Sequence, residues 1–399
     1  MPENSSPKYF LEKLCSLPHR GTGSVYEKKA AGLIFQEYKK LGLKPEMQRC
    51  RIVKNGWFLQ PLTYSFFILS TTSILLDKLI LSLIFFAVGA LLLGLNHFRY
   101  FGPFKRIYPG ESQNVFVELP SRKGKKKTVV VIGHYDSPRC TIGIKLLNPL
   151  AKSLAPKARS FPPFLNGPFF ISNFSVLLNL LLFFLSPVPM TRLLVGSYVV
   201  VTLLITVALT LHTFFSPFVP GAFDNGSGAA VVMALAPHFS KNRLETTGLV
   251  FLNTGSEENI TNGLETFLEE SRLDPKTTCF IDLDGVGADI LTVSEGEISG
   301  PGLFVPFDKE LFSLVRELVR KNKRFQKIKE FCLPVPSECS LLVKEGFRVA
   351  VMMNSINEIG YVAQYHQMLD TIDKINFETL DLCRDFTTEV IKEIDRRDS

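Results

Sequence analysis

Residues Gly221–Gly228 read GAFDNGSG, and the apolar run Ala229–Ala236 follows them directly. The stretch places one carboxylate, Asp224, among small residues just ahead of a segment with the composition of a buried helix. Glycine permits tight backbone turns, and asparagine and serine favour the starts of helices. We therefore predict that Asp224 lies in a cleft at a helix entrance, where other polar segments can reach it.

Four further polar stretches lie where predicted strands end or in short loops. Thr128–Gly133 (TVVVIG) is typical of a central strand buried on both faces. Polar residues that follow such strands gather at one edge of an open α/β sheet. The four stretches are Gly133–Ser137 (GHYDS), Glu257-Glu258, Asp282–Gly285 (DLDG) and Tyr365-His366.

Together these stretches supply the donor atoms of a two-zinc site. Zinc binds imidazole nitrogen and carboxylate oxygen, and two zinc ions about 3.5–4 Å apart need a shared ligand. We predict that Asp224 is the shared ligand, that His134 and Asp284 hold one ion, and that Glu258 and His366 hold the other. Any one of these motifs occurs often by chance, but their joint order along the chain does not.

Two acidic residues next to the predicted ligands have predicted catalytic roles. Glu257 precedes a ligand but is not one itself, so its free carboxylate can take a proton from water and pass it to the leaving amine. Asp136, two residues after His134, can hold the ligand imidazole in one tautomer.

Strand-like and helix-like runs alternate along the chain, which indicates an α/β fold. We predict a three-layer α/β/α sandwich around a central, mostly parallel mixed sheet. The predicted helices outside the long apolar stretches are 7–19, 24–42, Lys309–Lys321 and Asn376–Arg396. The predicted strands are Gln48–Val53, Asn114–Leu119, Thr128–Gly133, Gly248–Asn253, Thr278–Asp284, Asp289–Val293 and Phe347–Met353.

The apolar residues are clustered. Charged residues make up 21% of the chain and its mean hydropathy is +0.17, which is high for a soluble protein. A bilayer-spanning helix needs ~20 apolar residues, and each of two apolar stretches is about twice that length with a polar break in the middle. We predict four transmembrane helices in two hairpins, with buried helices of a large soluble domain as the alternative. The predicted helices are Trp57–Leu76, Leu79–His97, Phe169–Leu185 and Arg192–Phe214, with breaks at Asp77-Lys78 and Ser186–Met190.

The hairpins, at 57–97 and 169–215, divide the α/β domain into the segments 1–56, 98–138 and 216–399. A proline-rich membrane-proximal linker is predicted at 139–168. Lys and Arg are frequent outside the hairpin tips, which carry only Lys78 and Arg192. By the positive-inside rule, all three segments of the α/β domain of this multi-pass protein are predicted to be cytoplasmic.

Net charge and cysteine content indicate which partners and which cellular compartment the protein suits. The net charge of +7 suits apposition to anionic lipid, since no basic stripe with interleaved aromatics indicates nucleic-acid binding. The seven cysteines show no paired spacing and suit a reducing compartment, and the polar start Met1–Lys13 does not read as a cleavable signal peptide. The apolar segments lack mid-bilayer ionisable residues, which argues against a transporter.

The motifs resemble the di-zinc exopeptidases of clan MH, in the branch of secreted bacterial leucyl aminopeptidases and glutamate carboxypeptidases. The resemblance covers the chain apart from the two hairpins, and the opening His19–Ser24 is similar to the family's N-terminal segment. It also implies a cis peptide bond after Asp224. The matching motifs are His134–Ser137, Ala222–Asn225 with Ser227-Gly228, Glu257-Glu258, Leu283-Asp284 with Gly287, and His366 with Asp370-Thr371.

The chain departs from the family pattern at positions that bear on specificity more than on metal binding. Ile260 stands where the family has glycine, and Gly263-Leu264 replaces a later Gly-Ser pair. Ser337–Cys339 (SEC) replaces a Ser-Asp-His motif, and Gln367 rather than threonine follows the last histidine.

The resemblance implies a membrane-anchored, zinc-dependent aminopeptidase that acts on peptides. A carboxypeptidase is the second reading, because no arginine is clearly placed in the sequence to bind a substrate carboxylate. A glutaminyl-cyclase-like enzyme of the same fold would use one zinc ion, which the complete ligand set disfavours. A non-catalytic, membrane-tethered binding module is the alternative outside enzymes. The oligomeric state is left open.

Overall fold

The computed structural model describes residues 5–97, 102–124, 126–142, 170–185, 189–299, 303–332, 336–358, 362 and 364–398. Residues 143–168 of the predicted linker, Phe169 and residues 186–188 of the second predicted hairpin break lie outside this range. The predicted domain boundaries themselves remain predictions.

A mixed sheet of eight strands forms the centre of an α/β fold, as predicted, in the spatial order β1-β2-β4-β3-β5-β10-β6-β9. Strands β4, β3, β5 and β10 run parallel, while β1, β2 and β6 are each antiparallel to a neighbour. A separate hairpin, β7–β8, was not predicted. The strands are β1 (Pro45–Val53), β2 (Pro109–Leu119), β3 (Lys127–Ile132), β4 (Thr247–Asn253), β5 (Thr278–Leu283), β6 (Ile290–Ser294), β7 (Gly296–Ser299), β8 (Leu303–Pro306), β9 (Lys329–Glu330) and β10 (Arg348–Ile356).

Helices cover both faces of this sheet. On β3, Val129 and Val131 enter one core while Val130 and Ile132 enter the other, so the strand is buried on both faces as its sequence predicts. Helices α1, α2, α8, α10 and α12 line the first core, and α9 and α11 line the second. These helices are α1 (Pro7–Cys15), α2 (Val25–Lys40), α8 (Ser227–Lys241), α9 (Asn262–Glu270), α10 (Lys309–Lys321), α11 (Cys339–Lys344) and α12 (Phe377–Asp398).

The remaining helices are α3 (Leu59–Leu75), α4 (Leu79–His97), the short α5 (Gly102–Ile107), α6 (Phe170–Leu185) and α7 (Pro189–Phe215). Apolar side chains of α3, α6 and α7 share one cluster, which includes Phe67, Leu182 and Leu203. Three apolar helices, Gly56–Leu75, Leu79–Asn96 and Pro189–Phe215, could cross a membrane by length and composition alone. Helix α6 has 16 residues, short of the ~20 that a span needs, so three helices of spanning length, rather than the four predicted, lie among the described residues.

The sequence placed some boundaries wrongly. The predicted helix 7–19 ends at Cys15, because Pro18 disfavours helical backbone in the residue before it. Strands β1 and β2 are longer than predicted, since they pair antiparallel from Pro45 opposite Val117 to Val53 opposite Pro109. The apolar hairpin α3–α4 therefore leaves the sheet after β1, and the chain rejoins it at β2.

Candidate metal centre

The Asp224 turn is fixed by its own neighbour, Asn225, to which Asp224 is joined by a cis peptide bond. The Asn225 side-chain oxygen accepts the backbone N–H groups of Gly228 and Gly285 at 2.8 and 3.1 Å. Its amide group donates to the carbonyl of Leu283 at 2.8 Å. The turn before α8 is thereby fastened to the end of β5, where Asp284 follows.

The predicted stretches meet at the carboxyl edge of the parallel strands. Asp224 lies between two imidazoles, with Oδ1 3.4 Å from Nε2 of His134 and Oδ2 3.1 Å from Nε2 of His366. Nε2 of His134 is also 3.5 Å from Oδ1 of Asp284. Nε2 of His366 is 3.6 Å from Oε2 of Glu258. Each imidazole therefore faces Asp224 and at least one further carboxylate.

Donor atoms form three overlapping groups, each with its members within 4.8 Å of one another. Two of the groups share Asp224 and have the composition predicted from the sequence; the metal-binding roles themselves stay predictions. The third group brings Glu257 into the same cleft. The groups are His134, Asp224 and Asp284; Asp224, Glu258 and His366; and His134, Glu257 and Glu258.

These residues fit a zinc site. Oε1 of Glu258 is buried and has no hydrogen-bond partner among the described residues. A buried polar atom left in this way costs about 1–3 kcal/mol, which a bound cation would offset. The set combines imidazole nitrogen with carboxylate oxygen, the ligands that catalytic zinc takes.

The raised pKa values of the two glutamates also favour a bound cation in this cleft. Burial raises the pKa of Glu257 to about 8, and the charges of Asp284, Asp136 and Asp224 add to the rise. Burial, followed by the charges of Asp224 and Glu257, raises the pKa of Glu258 well above its usual value. Burial and the neighbouring carboxylates thus disfavour the ionised forms of these glutamates, and divalent cations in the cleft would favour those forms.

Asp136 lies between the His134 loop and the paired glutamates. Its Oδ1 is 3.5 Å from Nδ1 of His134, and its role in holding the imidazole stays a prediction. The same carboxylate also accepts the backbone N–H groups of Glu257 at 3.0 Å and Glu258 at 3.2 Å. The Thr22 hydroxyl donates to it at 2.5 Å. Asp136 therefore joins the His134 loop to the turn that carries both glutamates.

Sequence reasoning missed Arg20 as part of this framework. Arg20 is fully buried, and its guanidinium donates to the carbonyls of Tyr135 at 2.6 Å, Pro220 at 2.9 Å and Gly221 at 2.5 Å. No carboxylate forms an ion pair with it in the described part of the chain. Arg20 fastens the His134 loop to the Asp224 turn. Its position in the family-like segment His19–Ser24 was the one available signal.

Two buried carboxylates were also missed as supports. Glu27 accepts the backbone N–H of Ser256 at 3.1 Å, next to the paired glutamates. Asp370 accepts the backbone N–H groups of Phe223 at 2.7 Å and Asp224 at 3.1 Å, and burial raises the pKa of Asp370 to about 7. Glutamate in a helix and Asp-Thr after a histidine are too common for such roles to be deduced from sequence.

The departure at Ile260 has a structural reason. Ile260 has a φ of 75°, a left-handed conformation that suits glycine and is unusual for a β-branched residue. Its side chain packs against Val53 and Leu59, at the start of α3. The turn after the paired glutamates thus gains a contact with the first apolar hairpin at a position where the related family has no side chain.

One protein-family model matches part of the chain. The profile of Peptidase family M28 matches residues 206–391, a stretch that includes Asp224, Glu257, Glu258, Asp284 and His366. His134 precedes the matched stretch. No curated protein matches the sequence.

Several solved structures share the fold over nearly the whole chain. A zinc-dependent exopeptidase from Parabacteroides distasonis is 12% identical with a TM-score of 0.56, covering 98% of both chains. A glutaminyl cyclase from Porphyromonas gingivalis is 12% identical with a TM-score of 0.57, covering 98% of both chains. A zinc aminopeptidase from Bacillus subtilis is 15% identical with a TM-score of 0.56, covering 98% of this chain and 95% of that one. At these identities the likeness establishes the fold alone.

Proposed function

From the premise that the chain carries a domain of peptidase family M28, in clan MH, we propose that it is a membrane-anchored, zinc-dependent aminopeptidase. The observation that carries this proposal is the pair of histidine–carboxylate groups that share Asp224, with Glu257 beside them. A binding module would have no need of the additional carboxylate. The substrates are peptides with a free N-terminus.

In this proposal the two donor groups would hold two zinc ions. His134 and Asp284 would serve one ion, Glu258 and His366 the other, and Asp224 would be the ligand that they share. Zinc in such a site polarises the scissile carbonyl and lowers the pKa of water. The chain's own contribution is to hold the donors, which Asp136, Arg20 and Asp370 do through the hydrogen bonds described above.

Glu257 is proposed as the general base and then the general acid. Its Oε2 lies 3.9 Å from Nε2 of His134, and its side chain is 16% exposed, so a water molecule or substrate can reach it. The carboxylate takes a proton from water as the oxygen attacks the scissile carbonyl carbon. It then gives this proton to the leaving amine nitrogen as the C–N bond breaks. Asp136 keeps Glu257 in place by accepting its backbone N–H.

The experiment is to measure metal content per chain in detergent-purified protein, for the wild type and for Asp224→Ala. About two zinc ions in the wild type, both weakened by Asp224→Ala, together with release of N-terminal residues from unblocked peptides, is the expected result. Binding of zinc without hydrolysis of any peptide or N-terminal glutamine substrate would overturn the proposal in favour of a binding module.

The second candidate is a glutaminyl-cyclase-like enzyme, because a cyclase shares the fold with the same coverage as the exopeptidase. One zinc ion per chain and cyclisation of an N-terminal glutamine would favour it. A carboxypeptidase is distinguished by substrates whose N-terminus is blocked and whose C-terminus is free.

We further propose that α3, α4, α6 and α7 anchor the chain with the α/β domain in the cytoplasm. The support is the apolar length of α3, α4 and α7 and the scarcity of Lys and Arg at the hairpin tips. One epitope would be placed at the C-terminus and another after Asp77, at a hairpin tip. Protease added outside intact cells is expected to remove the second epitope alone, and removal of the C-terminal epitope would reverse the orientation.

A further inference from the structure

A pocket opens directly beside the metal centre, between the two apolar hairpins. Glu258, a predicted zinc ligand, forms part of its wall. The rest of the wall comes largely from the segments that lead into α3 and out of α7. The residues that matter here are Lys54, Trp57, Arg139, Phe218 and Asn259.

The α3 side of the pocket is held against the glutamate turn. The Asn259 side chain accepts the backbone N–H of Gly56 and donates to the carbonyl of Val53. The two hydrogen bonds lie on either side of Lys54 in the sequence and directly before Trp57. They hold the backbone that carries Lys54 and Trp57 close to Glu258, the neighbour of Asn259. A ligand in this pocket therefore lies next to the reacting groups rather than on a remote surface.

The opposite side is built around Arg139. The backbone N–H of Cys140 donates to the carbonyl of Pro217, and that of Val219 donates to the carbonyl of Pro138, both at 2.9 Å. The guanidinium lies 4.2 Å above the ring of Phe218. Its Nη1 donates to the carbonyl of Ser216 at 2.5 Å, so the cation is held in place by backbone and ring.

Neither cation of this pocket has an acidic partner. Over the described ranges no carboxylate forms an ion pair with Lys54 or Arg139, although the chain contains 38 Asp and Glu residues. The Ser216 carbonyl is the one hydrogen-bond acceptor of Arg139 among those residues, which leaves other guanidinium N–H groups for a ligand. Arginine's planar fork matches a carboxylate, and lysine adds a point charge.

We propose that this pocket binds a carboxylate group of the peptide substrate and so selects acidic or short peptides. The inference rests on the proposed peptidase function. It also supplies the arginine that sequence reasoning could not place. The carboxylate comes from one of two sources, the side chain of an acidic residue or the free C-terminus of a very short peptide. The alternative explanation is that both cations only offset the negative charge of the metal centre, without touching a ligand.

The single tryptophan of the chain, Trp57, makes this testable without relying on catalysis. Its fluorescence would be recorded in the full-length, zinc-loaded protein directly on mixing with peptide, before turnover. Two peptide pairs differ only in one charge: Leu-Gly against Leu-Gly amide for the C-terminus, and Glu-Leu amide against Gln-Leu amide for the side chain. The variants are Lys54→Met, Arg139→Lys and Lys54→Met with Arg139→Gln. The matched control is Lys44→Met with Arg272→Gln, since these two cations are exposed and lie outside the pocket.

We expect the acidic member of at least one pair to bind on the order of tenfold more tightly than its neutral partner, the equivalent of one charge-assisted hydrogen bond. The pair that shows the difference identifies the source. The difference should shrink in Lys54→Met, which alters an exposed side chain, and vanish in the double variant, while the control keeps it.

Equal binding of acidic and neutral peptides by the wild type would overturn the inference, as would a difference that survives in the double variant. Quenching by vesicles containing phosphatidylserine, without quenching by either acidic peptide, would instead make the pocket a lipid headgroup site and would also overturn it. Absence of hydrolysis alongside a normal fluorescence difference would count against the proposed function alone.

Discussion

The backbone N–H of Thr141 donates to the carbonyl oxygen of His366 at 3.0 Å. The residue after this histidine reinforces the contact, because Nε2 of Gln367 donates to the carbonyl of Thr141 at 3.0 Å. His366 itself has a φ of 54°, in the left-handed region that is uncommon outside glycine. The turn that presents one predicted ligand is therefore held by the segment that continues from the other histidine's loop.

Replacing Gln367 by alanine should loosen His366. The loss of the hydrogen bond from Gln367 to the Thr141 carbonyl is expected to weaken metal binding about 10-fold or more, in the range seen for residues that orient metal ligands. The measurement is zinc affinity by competition with a chromogenic chelator. Gln326→Ala removes an exposed glutamine elsewhere and should leave zinc affinity unchanged. Equal affinities for both variants would show that Gln367 does not position His366.

Asp136→Asn should impair activity more than it impairs folding. Asparagine keeps the size of aspartate but replaces one acceptor oxygen by a donor, which faces the N–H of Glu257 or of Glu258. We expect a 10–100-fold loss of zinc affinity or turnover. The control is Asp274→Asn, an exposed turn carboxylate that accepts one backbone N–H from Lys276. A pair of variants with the same zinc affinity and turnover would contradict the role of Asp136.

Substitution of one of the paired glutamates should lower turnover, and substitution of the other should weaken metal binding. Glu257→Gln is expected to keep its metal and lose about 10²–10⁴-fold in turnover, the usual contribution of a general base. Glu258→Gln is expected to lose metal from the site that it shares with His366. Metal content and turnover measured on the same preparations test both. Retention of turnover in Glu257→Gln would assign the proton transfer to another group.

Arg20→Met should destabilise the whole α/β domain. The substitution leaves the carbonyls of Tyr135, Pro220 and Gly221 without their buried donor, at a cost of about 3 kcal/mol or more in the free energy of unfolding. Arg20→Lys should recover only part of this, because one ammonium group cannot reproduce the planar fork. Urea unfolding in detergent measures the effect, with Arg272→Met as the exposed control.

Asp395 should make the free energy of unfolding fall as the pH is lowered into the acid range. Burial alone would raise the pKa of Asp395, but hydrogen bonds from the backbone N–H groups of Glu245, Thr246 and Thr247 outweigh it and hold the pKa below the usual value. Its contribution is therefore complete above the unfolded-state pKa of about 3.9 and is lost as pH falls through the folded-state pKa. Asp395→Asn should cost about 1 kcal/mol at pH 7.

Urea unfolding midpoints of Asp395→Asn and wild type, compared between pH 7 and pH 3.5, measure this dependence. The gap between the two proteins should narrow below about pH 4, since Asp395 in the unfolded wild-type chain then binds a proton while the folded-state carboxylate still stays ionised. A gap that stays constant down to pH 3.5 would mean that the ionised form of Asp395 contributes nothing special.

The residues that meet in the cleft could be predicted because their residue types and their positions after strands or in small-residue loops can be read from the sequence. His134 and Asp284 follow strands whose apolar, β-branched composition is readable, and parallel strands present their carboxyl ends at a common edge. The fold class follows from the same alternation of strand and helix. The lengths of β1 and β2 could not be read from the sequence, because their polar outer residues form strands only through pairing with each other.

Residues that hold the site in place, such as Arg20, could not be predicted for a different reason. Arg20 donates hydrogen bonds to three backbone carbonyls. Every residue has a backbone carbonyl, so no residue type in the sequence marks these acceptors. The pocket beside Glu258 is lined by Lys54 and Arg139, which are 85 positions apart by numbering and line one pocket only through the tertiary fold. Such proximity follows from tertiary structure and leaves no local pattern.

Strands β3 and β4 are neighbours in the sheet although the second apolar hairpin lies between them in the sequence. During synthesis, therefore, all four apolar helices leave the ribosome before Glu257, Asp284 and His366 do. In the membrane-anchored enzyme proposed above, these helices would reach the bilayer before the last predicted metal donors are synthesised. We expect such a nascent chain to be catalytically silent until those residues emerge.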